Sequence, residues 1–211
     1  MTASFSSTAL VQNSLFAGDT DDLIGYGVVL AQGQNLPRGA LLGRTAVSGT
    51  VSAISASGNT GNGTITGLDI GGSAVIGDWV LVAHSATVFF LYNPEGIYSG
   101  KATVGNAFAG ALHFTISAGS NAFAIGDSFV LRAADVEYRY KLSLASATDG
   151  SQIPDAILAE DTSALTADQP TVVYLMGEFN ANAIAFGAGH TLESTRDVLR
   201  AKDIHLITAI V

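Results

Sequence analysis

Short runs of β-branched and aromatic residues, separated by glycine, asparagine and proline, recur between residues 46 and 135. The runs are TVSAISA, TITGLDI, WVLVA, TVFFLYN and LHFTISA. Runs of this length bounded by turn residues are typical of strands, and their regular spacing is typical of a sandwich or barrel. We therefore predict an inserted antiparallel β-domain, sandwich-like or barrel-like, over residues 46–135. Within it, Ile-Gly-Asp precedes an apolar strand twice, and we expect both carboxylates, Asp78 and Asp127, to accept turn amides.

The segments on either side of this domain carry more charge and a second set of strand patterns. LIGYGVVLA, AILAED, TVVYLMGEFN and IHLITAIV have the composition of strands, and VEYRYKL alternates between an apolar and a charged face. A turn is predicted at Arg38-Gly39, and one helix is predicted in LESTRDVLRAK with Thr191 as its N-cap. The predicted fold class is therefore mainly β, with residues 18–45 plus 136–211 forming a compact core that the inserted domain splits.

Residues 1–17 mix serine, threonine and asparagine with isolated large apolar side chains. A frayed terminus is the simpler interpretation. Five large apolar residues are many for a segment that contacts only water, so we predict an extended N-terminal arm that becomes ordered against a partner. The residues predicted to make that contact are Phe5, Leu10, Val11, Leu15 and Phe16.

The charge and composition of the chain exclude several classes of partner. With nine lysine and arginine residues and a formal net charge of −9, the chain would repel a phosphate backbone, so we expect no nucleic-acid partner. The absence of cysteine rules out disulfides and thiolate chemistry. No secretory-signal pattern and no apolar run of membrane-spanning length occur, so we expect a soluble protein made in the cytoplasm, with no membrane partner.

The sequence contains no pattern typical of a catalytic or metal centre. The stretch GNTGNGT at residues 58–64 lacks the spacing and the lysine of a phosphate-binding loop and leads into a strand, so we predict a hairpin turn. The four histidines stand far apart, and GDTDD lacks the spacing of a calcium loop. Glu160, Asp161 and Glu178 could act as acid and base only if a cleft joined them. We predict no catalytic, metal-binding or cofactor-binding residue.

Four aromatic residues of the inserted domain allow two interpretations. We predict that they form the core of that domain. The alternative is an exposed cluster that would bind sugars or a receptor. The four are Trp79, Phe89, Phe90 and Tyr92.

Four segments outside the inserted domain resemble the bacteriophage head decoration proteins, the group typified by the lambda D protein. They are LPRGALLGR at 36–44, SATDGSQIPDAILAEDTSA at 146–164, TVVYLMGEFNANAIAFG at 171–187 and STRDVLRAKDIHLI at 194–207. The resemblance implies a compact β-clip or β-tulip core and no catalytic or cofactor residues. The compact members lack most of residues 46–135, so the resemblance leaves the role of this stretch open.

The same resemblance implies a structural virion protein. Such proteins form homotrimers on the outer surface of the capsid, bind the major capsid protein, and stabilise the shell against the pressure of packaged DNA. We place the trimer contacts around Phe179 and Asn180, where a strand end offers an apolar residue beside a polar one. The alternative is a β-rich adhesin on the virion surface, with a host glycan or protein as ligand of the inserted domain.

Overall fold

A computed structural model describes residues 15–18 and 23–208 of the protein. The described chain is mainly β, with one α-helix and one 3-10 turn, which confirms the predicted fold class. The strands are β1 (Ile24–Leu30), β2 (Gln34–Leu36), β3 (Leu41–Ser55), β4 (Thr64–Ile70), β5 (Gly77–Ala83), β6 (Val88–Tyr92), β7 (Tyr98–Thr103), β8 (Ala107–Ala109), β9 (Leu112–Ser117), β10 (Ser128–Leu142), β11 (Pro154–Leu158), β12 (Thr162–Ala164), β13 (Gln169–Asn180) and β14 (Ile204–Ile207). The helix α1 spans Leu192–Arg200, and the 3-10 turn spans Ala181–Ala183.

Five of the strands close into a barrel. They are ordered β1-β13-β11-β3-β10, and β10 also pairs with β1, where Leu30 lies opposite Tyr140. Each strand contributes a side chain to one buried cluster, which contains Leu30, Leu42, Tyr140, Leu158 and Val173. Because successive residues of a strand point to opposite faces, this cluster fills the barrel interior.

A second cluster covers the outside of the same barrel wall. Leu41 and Ile157, the neighbours of two interior residues, point outward and are fully buried beneath α1 and β14. Every residue of β11 is buried, because both faces of that strand are covered. The helix begins at a capping box in which the Thr191 side chain accepts from the Ser194 amide and the Ser194 side chain accepts from the Thr191 amide, which confirms the predicted N-cap.

Strands β3 and β10 are 15 residues long and continue beyond the barrel into an outer lobe. There β5, β6 and β7 extend the sheet, and the three-stranded sheet β4-β9-β8 shares a third hydrophobic cluster with it. The predicted domain boundaries, at residues 45/46 and 135/136, fall within these two strands. The third cluster draws on residues 46–138 and the other two on residues 15–42 and 140–206. The division into two domains stays a prediction.

Two predicted turns have different outcomes. Gly39 has a φ of 86°, in the left-handed region that glycine tolerates, which confirms the turn at Arg38-Gly39. The stretch at residues 58–64 is a loop that leads into β4, as expected, but the hairpin prediction is wrong. Strand β3 lies in the large sheet and β4 pairs with β9 in the smaller one, so this loop crosses between two sheets.

Candidate functional site

Residues 15–18, the first described residues of the chain, lie beside the end of strand β13 and pair with its backbone. The Asn180 amide donates to the Leu15 carbonyl at 2.9 Å, and the Ala17 amide donates to the Glu178 carbonyl at 3.1 Å. Phe16 thereby forms an antiparallel bridge with Phe179. The predicted arm is therefore fixed to the body of the protein at residues 15–18.

The side chains of this segment contribute to the cluster under α1. Leu15 is only 3% exposed, and the Phe16 ring lies 5.4 Å from Tyr174 in an edge-to-face contact. The Arg38 guanidinium lies over the Phe16 ring at 5.2 Å. Leu15 and Phe16 are thus packed within the protomer, whereas Phe5, Leu10 and Val11 lie outside the described residues. The capsid contact of all five residues stays a prediction.

The two residues predicted at the trimer interface have separate structural roles. Phe179 is completely buried against Phe16 and Tyr174. The Asn180 side chain accepts a hydrogen bond from the Asn182 amide and begins the 3-10 turn. A side chain without exposed surface can influence a partner only through the backbone that it positions, so any contact here would involve the turn at residues 181–183. The interface stays a prediction.

A cleft of about 470 Å³ lies between the barrel and the outer lobe. The barrel side contributes charged and aromatic side chains, and the lobe contributes the loop at residues 72–75 and the turn between β6 and β7. The lining residues that matter most are Arg44, Trp79, Glu95, Tyr98, Tyr138, Asp155 and Lys202. These come from distant parts of the chain, so no local pattern in the sequence marks them.

Asp155 is the centre of the charged wall of this cleft and is only 8% exposed. Its carboxylate accepts a hydrogen bond from the Tyr140 hydroxyl at 2.8 Å and contacts Lys202, while Arg44 Nε lies 3.6 Å from Oδ2. Burial raises the pKa of Asp155, but the hydrogen bond and charge of Lys202 outweigh it and hold the pKa below its usual range. Burial and the Asp155 charge raise the pKa of Tyr140. Two cations therefore share one buried carboxylate.

The aromatic residues of the lobe fall on both faces of its sheet. Trp79 and Phe89 are buried in the lobe, which confirms the core prediction for these two. The prediction is wrong for Phe90 and Tyr92, which are half-buried on the opposite face from Phe89, because alternate residues of β6 point to opposite sides. Tyr98, on β7, is 55% exposed and makes edge-to-face contacts with both rings.

The glycine-rich loop at residues 58–64 binds a carboxylate of its own chain. Asp127 accepts hydrogen bonds from the amides of Thr60, Gly61 and Ala124 at 2.8–3.0 Å, which confirms its predicted role. Burial raises the pKa of Asp127, but these three bonds outweigh it and lower the pKa. The prediction is wrong for Asp78, which instead forms two hydrogen bonds with the side chain of Arg132.

One serine–histidine pair occurs at a distance that could suggest nucleophilic chemistry. Ser143 Oγ lies 3.1 Å from His190 Nε2, but Ser143 is completely buried and its hydroxyl donates to the Ser151 carbonyl at 2.8 Å. The hydroxyl proton is therefore engaged, and Oγ accepts from the imidazole. This pair stabilises the loop before β11 and has no access to a substrate.

The described residues contain neither a metal-binding cluster nor a membrane-spanning helix. Within residues 15–18 and 23–208, no group of three or more histidine and acidic side chains is placed to hold a metal ion. Asp161, one of the carboxylates considered for acid–base chemistry, accepts a hydrogen bond from the Arg38 amide at 2.7 Å and so stabilises a turn. No helix in the described part of the chain is long and apolar enough to cross a membrane.

Comparison with known proteins gives one family. Residues 105–205 match the family model described as bacteriophage lambda head decoration protein D, which confirms the resemblance. The match covers the second part of the outer lobe together with the barrel strands from β10 onward and α1. It therefore extends into the predicted inserted domain. No curated protein matches the chain.

Solved structures give a weaker likeness. A crystal structure of FlgL from Xanthomonas campestris is 23% identical over 47% of this chain and 33% of that chain, with a TM-score of 0.35. The flagellar hook junction protein FlgK from Burkholderia pseudomallei is 22% identical over 61% of this chain and 23% of that chain, with a TM-score of 0.34. The chain thus spans about a third or less of each of these proteins, and likeness at this level carries no conclusion about fold or function.

Proposed function

We propose, because residues 105–205 match the family model of the bacteriophage lambda head decoration protein D, that this protein binds as a homotrimer to the outer surface of a phage capsid. Its partner would be the major capsid protein, and its role would be to stabilise the shell against the pressure of packaged DNA. The family is structural, so the proposed role involves no reaction and no cofactor.

The observation that carries this proposal is the family match over residues 105–205, and the role of the arm is supported by the anchoring of the chain at residues 15–18. Backbone hydrogen bonds and the buried Leu15 side chain fix the point at which residues 1–14 join the body. An extended segment that carries apolar residues can add to a partner's sheet edge, because the main chain supplies hydrogen bonds and the apolar side chains fill pockets. Three arms on one trimer would bind far more tightly than one arm, because each bound arm raises the effective concentration of the others.

The experiment that tests the arm is co-sedimentation with expanded, undecorated shells of the parent phage. The truncation should remove residues 1–14 and keep residues 15–18, because the latter segment packs in the protomer. We expect saturable binding of the full chain and loss of binding by the truncated chain. Equal binding by both proteins would refute the role of the arm.

Point variants separate the side chains of the arm from its length. Replacing Phe5, Leu10 and Val11 together by serine keeps the length of the arm and removes its apolar side chains, so we expect it to bind as poorly as the truncation. The matched control changes polar positions of the same segment to alanine and should bind like the full chain. Its three positions are Ser6, Thr8 and Asn13.

The homotrimer is tested by light scattering coupled to size exclusion. We expect three times the 21.5 kDa protomer mass for the full chain. We place the interface around Phe179 and Asn180, reached through the turn that Asn180 caps. Asn182 is exposed in this turn, and replacing it by arginine should weaken the trimer without unfolding the protomer. An unchanged trimer mass would refute this placement.

A second candidate function, an adhesin for a host-surface ligand, is favoured by the exposed aromatic side chain of Tyr98 and its half-buried neighbours Phe90 and Tyr92. Amphipathic aromatic rings are enriched at binding surfaces. The full chain would then bind host cells or glycans in the absence of capsid. A glycan array without signal from the folded full chain would count against this function.

A further inference from the structure

Arg44 is the more exposed of the two cations that flank Asp155 in the wall of the cleft. Lys202 and the Tyr140 hydroxyl both contact the Asp155 carboxylate directly. The distance from Arg44 Nε to the same carboxylate is 3.6 Å, which is longer than a hydrogen bond. The Arg44 guanidinium instead stacks over the Tyr138 ring at 4.6 Å, and its side chain remains 41% exposed.

This arrangement leaves positive charge at the back of the cleft. Asp155 supplies one negative charge against two cations, and Lys202 already compensates it. Arginine held flat on an aromatic ring presents a fixed fork of N–H donors, which matches the two oxygens of a carboxylate. The barrel side of the cleft is therefore suited to a carboxylate.

The lobe side of the cleft is suited to hydroxyl groups and to an apolar ring face. Tyr98 and Ile97 are both more than half exposed at its rim. Ser99 and Glu95 also line this side, and their side chains are of types that bond to hydroxyl groups of a ligand. A volume of about 470 Å³ lies in the range of small-ligand sites rather than of flat protein interfaces.

We infer that this cleft binds an acidic sugar, with the sugar carboxylate on Arg44 and the sugar ring against Tyr98. A neutral sugar would not pair with the exposed part of the Arg44 guanidinium, and a simple carboxylate would make no contact with the lobe side. The inference does not depend on shell binding, because none of the cluster residues that hold the arm anchor at residues 15–18 lines the cleft.

The test is an NMR titration of the full chain with glucuronate, with glucose and N-acetylglutamate as comparison ligands. We expect saturable shifts of the Tyr98 and Arg44 signals with glucuronate, with a Kd of about 1 mM, typical of a single small polar ligand. Glucose should bind at least about tenfold more weakly, because it lacks the group that pairs with the guanidinium. N-acetylglutamate should also bind at least about tenfold more weakly, because it lacks the ring.

Substitutions in the cleft test whether the NMR shift changes report binding of glucuronate at this site. Arg44→Gln should weaken glucuronate binding at least about tenfold, because a charged hydrogen-bond partner is lost. The matched control is Arg132→Gln, which removes an arginine from an exposed ion pair with Asp78 on the lobe and should leave the affinity unchanged. If Arg44→Gln fails to fold, Tyr98→Ala, at an exposed position, supplies the same test of the site.

Three results would overturn the inference. One is the absence of saturable shifts with glucuronate at concentrations well above the expected Kd. Another is binding of glucose as tight as that of glucuronate, which would show that the carboxylate is not recognised, or equally tight binding of N-acetylglutamate, which would show that the sugar ring is not. The third is glucuronate binding that Tyr98→Ala and a folded Arg44→Gln both leave unchanged.

Discussion

Replacement of Phe179 by alanine should destabilise the protomer. The side chain is completely buried and contacts Phe16 and Tyr174 at centroid distances of 5.8 and 5.7 Å. Truncation of a buried phenylalanine to alanine costs about 3–5 kcal/mol, because burial is lost and a cavity remains. In a protein of this size, each kcal/mol lowers Tm by about 2–4 °C, so we expect a decrease of about 6–20 °C.

Differential scanning calorimetry at a fixed protein concentration measures this effect. The matched control is Val172→Ala, at a position on the same strand that is 40% exposed, which should change the free energy of unfolding by less than about 1 kcal/mol. Phe179→Ala should also loosen residues 15–18, because Phe16 packs on its ring, and a protease should then release the arm faster. A Tm equal to that of the parent chain would refute the packing argument.

Three further predictions concern carboxylates. Asp155→Asn should lower the free energy of unfolding by about 1–3 kcal/mol, because the charged hydrogen bond from Lys202 is lost while Lys202 itself is exposed enough to be hydrated, and an unchanged urea midpoint would contradict this. Asp127→Ala should leave loop amides unpaired and cost about 1–3 kcal/mol, with faster amide hydrogen exchange confined to residues 58–64. Burial raises the pKa of Asp149, but hydrogen bonds, above all from Lys141, outweigh it and lower the pKa to about 2. Because the folded pKa lies below the unfolded value of 3.8, the stabilisation is complete above about pH 4 and lost as pH falls towards 2, and Asp149→Asn should flatten that part of the stability curve.

The local elements of the fold could be predicted from the sequence, because their signals lie within a few residues. The helix has its cap at Thr191 and its apolar stripe at helical spacing, and the structure begins it at the next residue. The turn at Gly39 needs a positive φ, which the sequence marks with glycine. Strand β10 keeps the alternation of VEYRYKL, with Val136 and Tyr140 buried.

Closure of the barrel and assembly of the cleft could not be predicted in this way. Leu30 pairs with Tyr140 across more than half of the chain, and nothing near either residue specifies the other. Arg44, Asp155 and Lys202 likewise meet only because β3, β11 and the end of α1 are brought together by the topology. The change in charge near residue 46 does not mark the end of a strand, because the backbone of β3 continues through it as a single strand.

Strands β3 and β10 run without a break from the barrel into the outer lobe, so the lobe extends from the barrel at a place separate from the packing that fixes residues 15–18. The lobe cluster draws on residues 46–138, whereas the cluster that holds Leu15 draws on none of them. The two strands pass from one cluster to the other, and β10 changes register with β3 around Asp135, where φ is 50°. Substitutions on the surface of the lobe therefore leave the packing at β13 and α1 in place. Residues on the lobe surface that would bind a further ligand can therefore be substituted while the contacts that fix residues 15–18 are retained.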